Sequence, residues 1–287
     1  MRLLLPLVAL LCTAACGRRA HEVPDAFRWE EEVAPGSTIH LRTPSGHIEV
    51  TPAAGASARI AGSTRWVGRE DPIHFAWTRE GSDVYVCALS TRGGDCTQDK
   101  EPFARSNHSW LDMFSLFKHR PTDVVASLRL SVPAGVKVDA RATNGTITLH
   151  GVTAGIIALA VNGSINIAGS SGSVEAKGTN ANISVALDSL DADDRVVLES
   201  INGNMTARLP ASLEGKVELS TINGMIRTDF PISTEGDLSR HKLHGQIGTS
   251  SREVLLRTVN GNVSLLKQEE ASRPAETHPL RGRPVKS

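Results

Sequence analysis

Six times in the second half of this chain an asparagine recurs in one local frame. The units are Thr143-Asn144-Gly145-Thr146-Ile147, Val161-Asn162-Gly163-Ser164-Ile165 and Thr179-Asn180-Ala181-Asn182-Ile183, then Ile201-Asn202-Gly203-Asn204-Met205, Ile222-Asn223-Gly224-Met225-Ile226 and Val259-Asn260-Gly261-Asn262-Val263. Successive asparagines lie 18, 18, 22, 21 and 37 residues apart. The last interval is close to two periods, and His244-Gly245-Gln246-Ile247 reads as a degenerate copy inside it. A β-branched residue precedes every asparagine, and an aliphatic residue or Met follows three later. Five positions after the asparagines stand Leu149, Ile167, Val185, Ala207, Thr228 and Leu265, mostly apolar.

Asn-Gly tolerates positive φ, so each pair can turn the chain sharply. The residues three and five later then point to one face of a strand. One such unit cannot bury its apolar face alone, but neighbours stacked at a period of about 20 residues can. The repeats therefore predict an all-β fold, a β-solenoid or β-helix-like array. The same turns would also allow a β-sandwich of hairpins. Aromatic residues favour the stack, because ten of the eleven lie at or before Phe117 and only Phe230 lies beyond. Layers of Ile, Val, Leu and Ala suit regular stacking.

The front half is β as well, but irregular. Ser37-Thr-Ile-His-Leu-Arg, His47-Ile-Glu-Val, Ala58-Arg-Ile-Ala and Asp83-Val-Tyr-Val-Cys alternate with period two between Gly and Pro signals. Residues 99–123 break the alternation. There Trp110, Met113, Phe114 and Phe117 share one helical face, which predicts a short helix in an insertion.

The chain opens with Arg2, an apolar run from Leu3 to Cys12, and Thr13-Ala14-Ala15 before Cys16. This reads as a secretory signal over residues 1–15. Thr-Ala-Ala-Cys-Gly resembles the bacterial lipobox, with Thr13 where an aliphatic residue is usual. The resemblance implies acylation of Cys16 and a membrane anchor. Gly17 rather than Asp after the cysteine implies, by similarity to Gram-negative lipoproteins, sorting to the outer membrane. Residues 16–26 read as a lipidated polar tether, 27–266 as the domain, and 267–287 as a disordered tail. Once Cys12 leaves and Cys16 is acylated, Cys87 and Cys96 remain, with Gly93-Gly94 between them. A disulfide between adjacent strands is expected in an oxidising envelope.

Val33-Ala-Pro-Gly-Ser-Thr-Ile, Pro44-Ser-Gly-His-Ile-Glu-Val, Leu128-Arg-Leu-Ser-Val-Pro-Ala-Gly and the Asn-Gly units together resemble the DUF4097 family. This is a group of bacterial adhesin-like repeat β proteins. The resemblance covers about residues 27–266. It implies adhesion only weakly and brings no catalytic residues. Ala181 in place of Gly, the 99–123 insertion and the long 224–258 segment depart from the pattern.

Charge and motif arguments exclude several functions. With 31 basic and 31 acidic side chains the chain lacks the basic excess of a nucleic-acid binder. No nucleotide loop, dinucleotide fingerprint or nucleophile elbow occurs. Asp191-Ala-Asp193-Asp194 is the one dense carboxylate group and reads as a solvated turn. His241 and His244 have two-ligand spacing but no evident third ligand. Six Asn-x-Ser/Thr matches, at Asn107, Asn144, Asn162, Asn182, Asn204 and Asn262, are read as turn chemistry rather than glycosylation. No cofactor is implied. Two function classes follow: a non-enzymatic envelope lipoprotein that meets a protein or glycan partner through its repeat surface, or a carbohydrate-active β-helix enzyme. An enzyme should carry clustered carboxylates and aromatic sugar platforms at matched coil positions, and here those positions hold Thr, Ser, Asn and Ala.

Overall fold

Three long strands show how one repeat becomes one coil: β8 (Lys137–His150), β9 (Ile156–Ser171) and β10 (Val174–Ser189). The computed structural model describes residues 20–67, 73–90, 96, 124–234 and 240–268. The expected signal segment with Cys16, the aromatic stretch 99–123 and the residues beyond Gln268 lie outside the described residues.

β8, β9 and β10 pair in parallel, with Asn144 beside Asn162 beside Asn180 and Ile147 beside Ile165 beside Ile183. Each strand passes through its Asn-Gly or Asn-Ala corner without losing its partners. The corner is thus a bend within a paired strand, not the chain-reversing turn of a hairpin. A hairpin would make neighbours antiparallel, so the parallel register removes the sandwich alternative.

The other coils use two shorter strands, one before the corner and one after. They are β2 (Thr38–Ser45) with β3 (Ile48–Pro52), β6 (Asp83–Ser90) with β7 (Val124–Val132), and β11 (Val196–Asn202) with β12 (Met205–Leu209). Two more follow: β13 (Gly215–Ser220) with β14 (Ile226–Thr228), and β17 (Glu253–Asn260) with β18 (Val263–Lys267). First limbs form one sheet and second limbs another, with the core between them.

The stacking order departs from chain order at both ends. β2 and β3 lie between β8 and the later β6 and β7. At the far end β17 and β18 lie between β11/β12 and the earlier β13/β14. The 37-residue interval is therefore no double period. His244 and Gly245 belong to β16 (Lys242–Ile247), which runs antiparallel along β13 and pairs with β15 (Ser233–Thr234). The missing spacing signal has a plain cause: a strand that leaves the stack and returns one layer inward keeps the coil chemistry but loses the period.

Antiparallel strands also close the front. β4 (Ser57–Val67) joins β7 to β1 (Ala20–Glu32), and β5 (Ile73–Glu80) joins β6. Residues 20–26 were expected in a tether, yet Ala20 to Val23 pair with Val67 to Thr64. The polar composition of that stretch reflects an exposed edge strand rather than a linker.

Core residues stack in columns along the array. Ile48, Ile147, Ile165, Ile183, Met205 and Val263 form one, and Ile39, Val138, Ile156, Val174, Val196 and Val254 another. All twelve side chains are buried. At roughly 25 cal/mol per Å² of apolar area, each such layer stabilises its neighbours more than its own turn chemistry does.

Candidate interaction surface

The repeated asparagines form one continuous side-chain ladder. Nδ2 of Asn162 donates to Oδ1 of Asn144, Asn180 to Asn162, and Asn202 to Asn180, each at 2.8 Å. Asn260 then donates to Asn202 at 2.7 Å, and Asn223 to Asn260 at 2.8 Å. The ladder follows spatial order, 202–260–223, and so reports the inserted coil independently of the backbone. The four inner amides each donate and accept along the stack, which fixes register, although exposure limits each bond to about 1 kcal/mol or less.

A second ladder was not read from sequence. Oδ1 of Asn182, Asn204 and Asn262 accepts the backbone N–H of Asn204, Asn262 and Met225, at 2.8 to 3.0 Å. A third set of bonds comes from hydroxyls two residues before the corner. Thr43, Ser200, Thr258 and Thr221 donate to the carbonyls of Ala126, Ala181, Gly203 and Gly261 in the adjacent coil, at 2.7 to 3.2 Å. The Ser/Thr recurrence at that position was the available signal.

Corner glycines exist because the coils approach closely. A Cβ on Gly145, Gly163, Gly203, Gly224 or Gly261 would overlap the corner carbonyl of the coil below. Ala181 escapes by a local compensation. A Cβ on Gly178 would fall 2.6 Å from the Cβ of Ala181, so glycine at 178 makes the room that alanine at 181 occupies. The neighbouring coil reverses the pair, with Ala160 and Gly163. Gly178→Ala should therefore cost about 1–2 kcal/mol, and adding Ala181→Gly should restore most of it. Denaturant midpoints of the two variants check this coupling.

Outward positions two and four residues after the corner asparagines make an uncharged strip over five coils, bordered by Glu49, Arg208 and Arg227. Thr146, Ser164, Asn182, Asn204 and Asn262 form one row, and Thr148, Asn166, Ser184, Thr206 and Ser264 the next. All ten are exposed or half-buried. Across the same coils the first-limb side carries ion pairs, such as Lys177 with Glu175 at 2.8 Å and Arg257 with Glu218 at 3.3 Å.

One buried charge cluster pins the front coils to the array. Asp139 of β8, 1% exposed, accepts from Nδ1 of His40 at 2.9 Å and from Nη2 of Arg42 at 2.8 Å. Arg141 also donates to both carboxylate oxygens, at 3.0 and 2.9 Å. The His40 ring stacks on Tyr85 of β6 at 4.1 Å. Burial alone would push the Asp139 carboxyl up. The His40 hydrogen bond and the charges of Arg42 and Arg141 outweigh it and hold the group well below the usual carboxylate range. A depressed pKa stabilises the fold fully above the unfolded value of about 4, and that contribution is lost progressively as pH falls from there through the depressed native value. Asp139→Asn should therefore destabilise by roughly 2 kcal/mol at pH 7 and by clearly less at pH 2. Equal destabilisation at both pH values, by denaturant titration, would contradict this.

Cys87 and Cys96 form a disulfide, with Cα atoms 5.7 Å apart. Cys87 lies on β6, but Cys96 lies in no strand, so the bond does not join two adjacent strands as expected. The Asp191–Asp194 run is a turn: the Asp191 N–H donates to Asp194 Oδ2 at 2.7 Å, and Ser173 Oγ donates to its Oδ1 at 3.0 Å. Arg252 caps the same turn through the carbonyls of Leu190 and Asp191. Among the described residues no group of three or more His, Cys, Asp or Glu is placed to hold a metal ion, His241 and His244 included. Among the same residues no helix is long and apolar enough to cross a membrane.

Parallel two-limbed coils, corner ladders and an aliphatic interior define a β-solenoid repeat domain. Residues 84–266 match the family described as Toastrack DUF4097, more than half of the chain, and the protein belongs to that family. The matched span begins at β6, whereas the coil of β2 and β3 lies ahead of it in sequence and inside the same stack. A comparison with curated proteins gave no match. The crystal structure of a candidate cell adhesion protein from Clostridium sporogenes is similar at a TM-score of 0.46 and 12% identity, over 86% of this chain and 100% of that one.

Proposed function

We propose that the protein is a cell-envelope lipoprotein, acylated at Cys16, that holds its repeat surface out for adhesion to a protein or glycan. The outer membrane is the membrane that the Gly17 position favours. The uncharged hydroxyl and amide strip across five coils is the observation that carries the reading. It offers many donors and acceptors at the 4.8 Å strand spacing and no charge that a neutral glycan or polypeptide would have to desolvate. The Toastrack membership and the secretory opening support the same reading.

Two measurements test it. Cys16→Ser should release the protein from membranes, and a variant that still fractionates with them would remove the anchor. Thr148→Glu with Ser184→Glu and Thr206→Glu should abolish binding of the purified protein to isolated envelope glycan and protein fractions, while the fold survives. Comparable binding by this triple variant and wild type would remove the strip.

A further inference from the structure

We infer that the front end of the solenoid, at β1 and β5, rests against the headgroup zone of the membrane that holds the anchor. The inference rests on the acylation of Cys16 proposed above.

Chain length is the first argument. β1 begins at Ala20, so only Gly17, Arg18 and Arg19 separate it from Cys16. Even fully extended, four residue steps reach about 14 Å. That is about twice the headgroup layer of one leaflet, so the start of the edge strand stays within roughly 10 Å of the surface.

Composition of this end is the second argument. β1 and β5 face each other across the open front of the core, pairing Phe27 with Phe75 at 5.6 Å and Trp29 with Trp77 at 6.0 Å. His21 stacks on Trp66 of β4 at 5.4 Å. Trp77 is 45% exposed and Val23 is 40% exposed; Ile222 and Met225 at the opposite end are more exposed, at 64% and 71%, but that end carries no tryptophan among its described residues. Tryptophan favours the membrane–water interface, where an apolar ring and a polar N–H are both accommodated.

Charge is the third. The acidic residues of β1 are largely matched by cations: Asp25 by Arg28 and Glu31 by Arg79 at 2.6 Å, and Glu30 by Arg59 at 2.7 Å. Glu22 lies beside Arg65 in register. Arg18 and Arg19 then add two cations next to the anchor, which suits anionic headgroups. The second-limb sheet has ten strands, so β14 sits about 40 Å from β1. The coils stand away from the surface, with the uncharged strip along their side.

The experiment uses the full acylated chain in vesicles of phosphatidylethanolamine and phosphatidylglycerol, doped with lipid brominated near the headgroup. Wild type should lose more tryptophan emission to bromine than Trp77→Phe, in which Trp29 and Trp66 remain at the same end. A tryptophan placed at the far end by Met225→Trp should add emission that bromine leaves unquenched. The Phe ring preserves packing on Trp29, and an intact Cys87–Cys96 disulfide verifies the fold. Protein that floats with the vesicles but shows equal quenching in wild type and Trp77→Phe overturns this orientation and leaves the anchor standing. Protein that does not float at all overturns both.

Discussion

Gly163→Val is expected to cost more than about 4 kcal/mol and to open the array at its middle. Gly163 has φ +144°, a conformation L side chains rarely adopt, and a β-branched residue there adds strain of about 1–3 kcal/mol. The larger effect is steric. Any Cβ at this position overlaps the carbonyl oxygen of Gly145, a backbone atom held by the coil below. Relief requires the two coils to separate, which breaks the Asn162 to Asn144 bond and loosens the Ile147–Ile165 column. In a stack where each coil touches only its neighbours, such damage spreads to both interfaces. Ala181→Val should be milder, because the native alanine already has its Cβ housed by Gly178. Denaturant midpoints, with limited proteolysis to find the opening, check both variants. A milder Gly163→Val would mean the coils are not in backbone contact at the corner.

Ile165→Asp should be comparably severe, about 4 kcal/mol or more, while Asn166→Asp should stay within about 0.5 kcal/mol. The two residues are adjacent, but Ile165 is 0% exposed between Ile147 and Ile183, whereas Asn166 lies on the outer strip. A carboxylate in the first position loses the aliphatic contacts of two coils and has no cation within the core to pair with, so it must be protonated or expose itself. Similar thermal midpoints for the two variants would overturn the inward assignment of the position three after the asparagine.

Local chemistry explains why so much of the array was legible. The asparagine, the small corner residue and the inward aliphatics are dictated by contacts between adjacent coils, and every coil repeats them. Ser45-Gly46 belongs to the same set, since Ser45 stands beside Asn144, but serine at the asparagine position hid its coil among the irregular front strands. The stacking order was not legible for a different reason. Whether the coil of Asn260 lies outside or inside that of Asn223 depends on long-range pairing by β16 along β13, and nothing at the corner encodes it. Asp139 was equally silent. It occupies an outward strand position where a solvated carboxylate is ordinary, and only the arrival of Arg42 and His40 from β2 buries it. The Gly178–Ala181 exchange was visible as a departure at 181, yet its compensation three residues earlier required the geometry.

The central claim is a parallel stack in which the last coil in sequence lies inside the one before it. Thiol cross-linking tests it most directly. Thr206 lies beside Ser264, and Ser264 beside Arg227, so Thr206 and Arg227 are two layers apart. A short bifunctional thiol reagent should join Thr206→Cys to Ser264→Cys in the folded protein and leave Thr206→Cys with Arg227→Cys unlinked. Efficient linking of the 206–227 pair, with none for 206–264, would mean that the coils stack in chain order and would contradict the architecture.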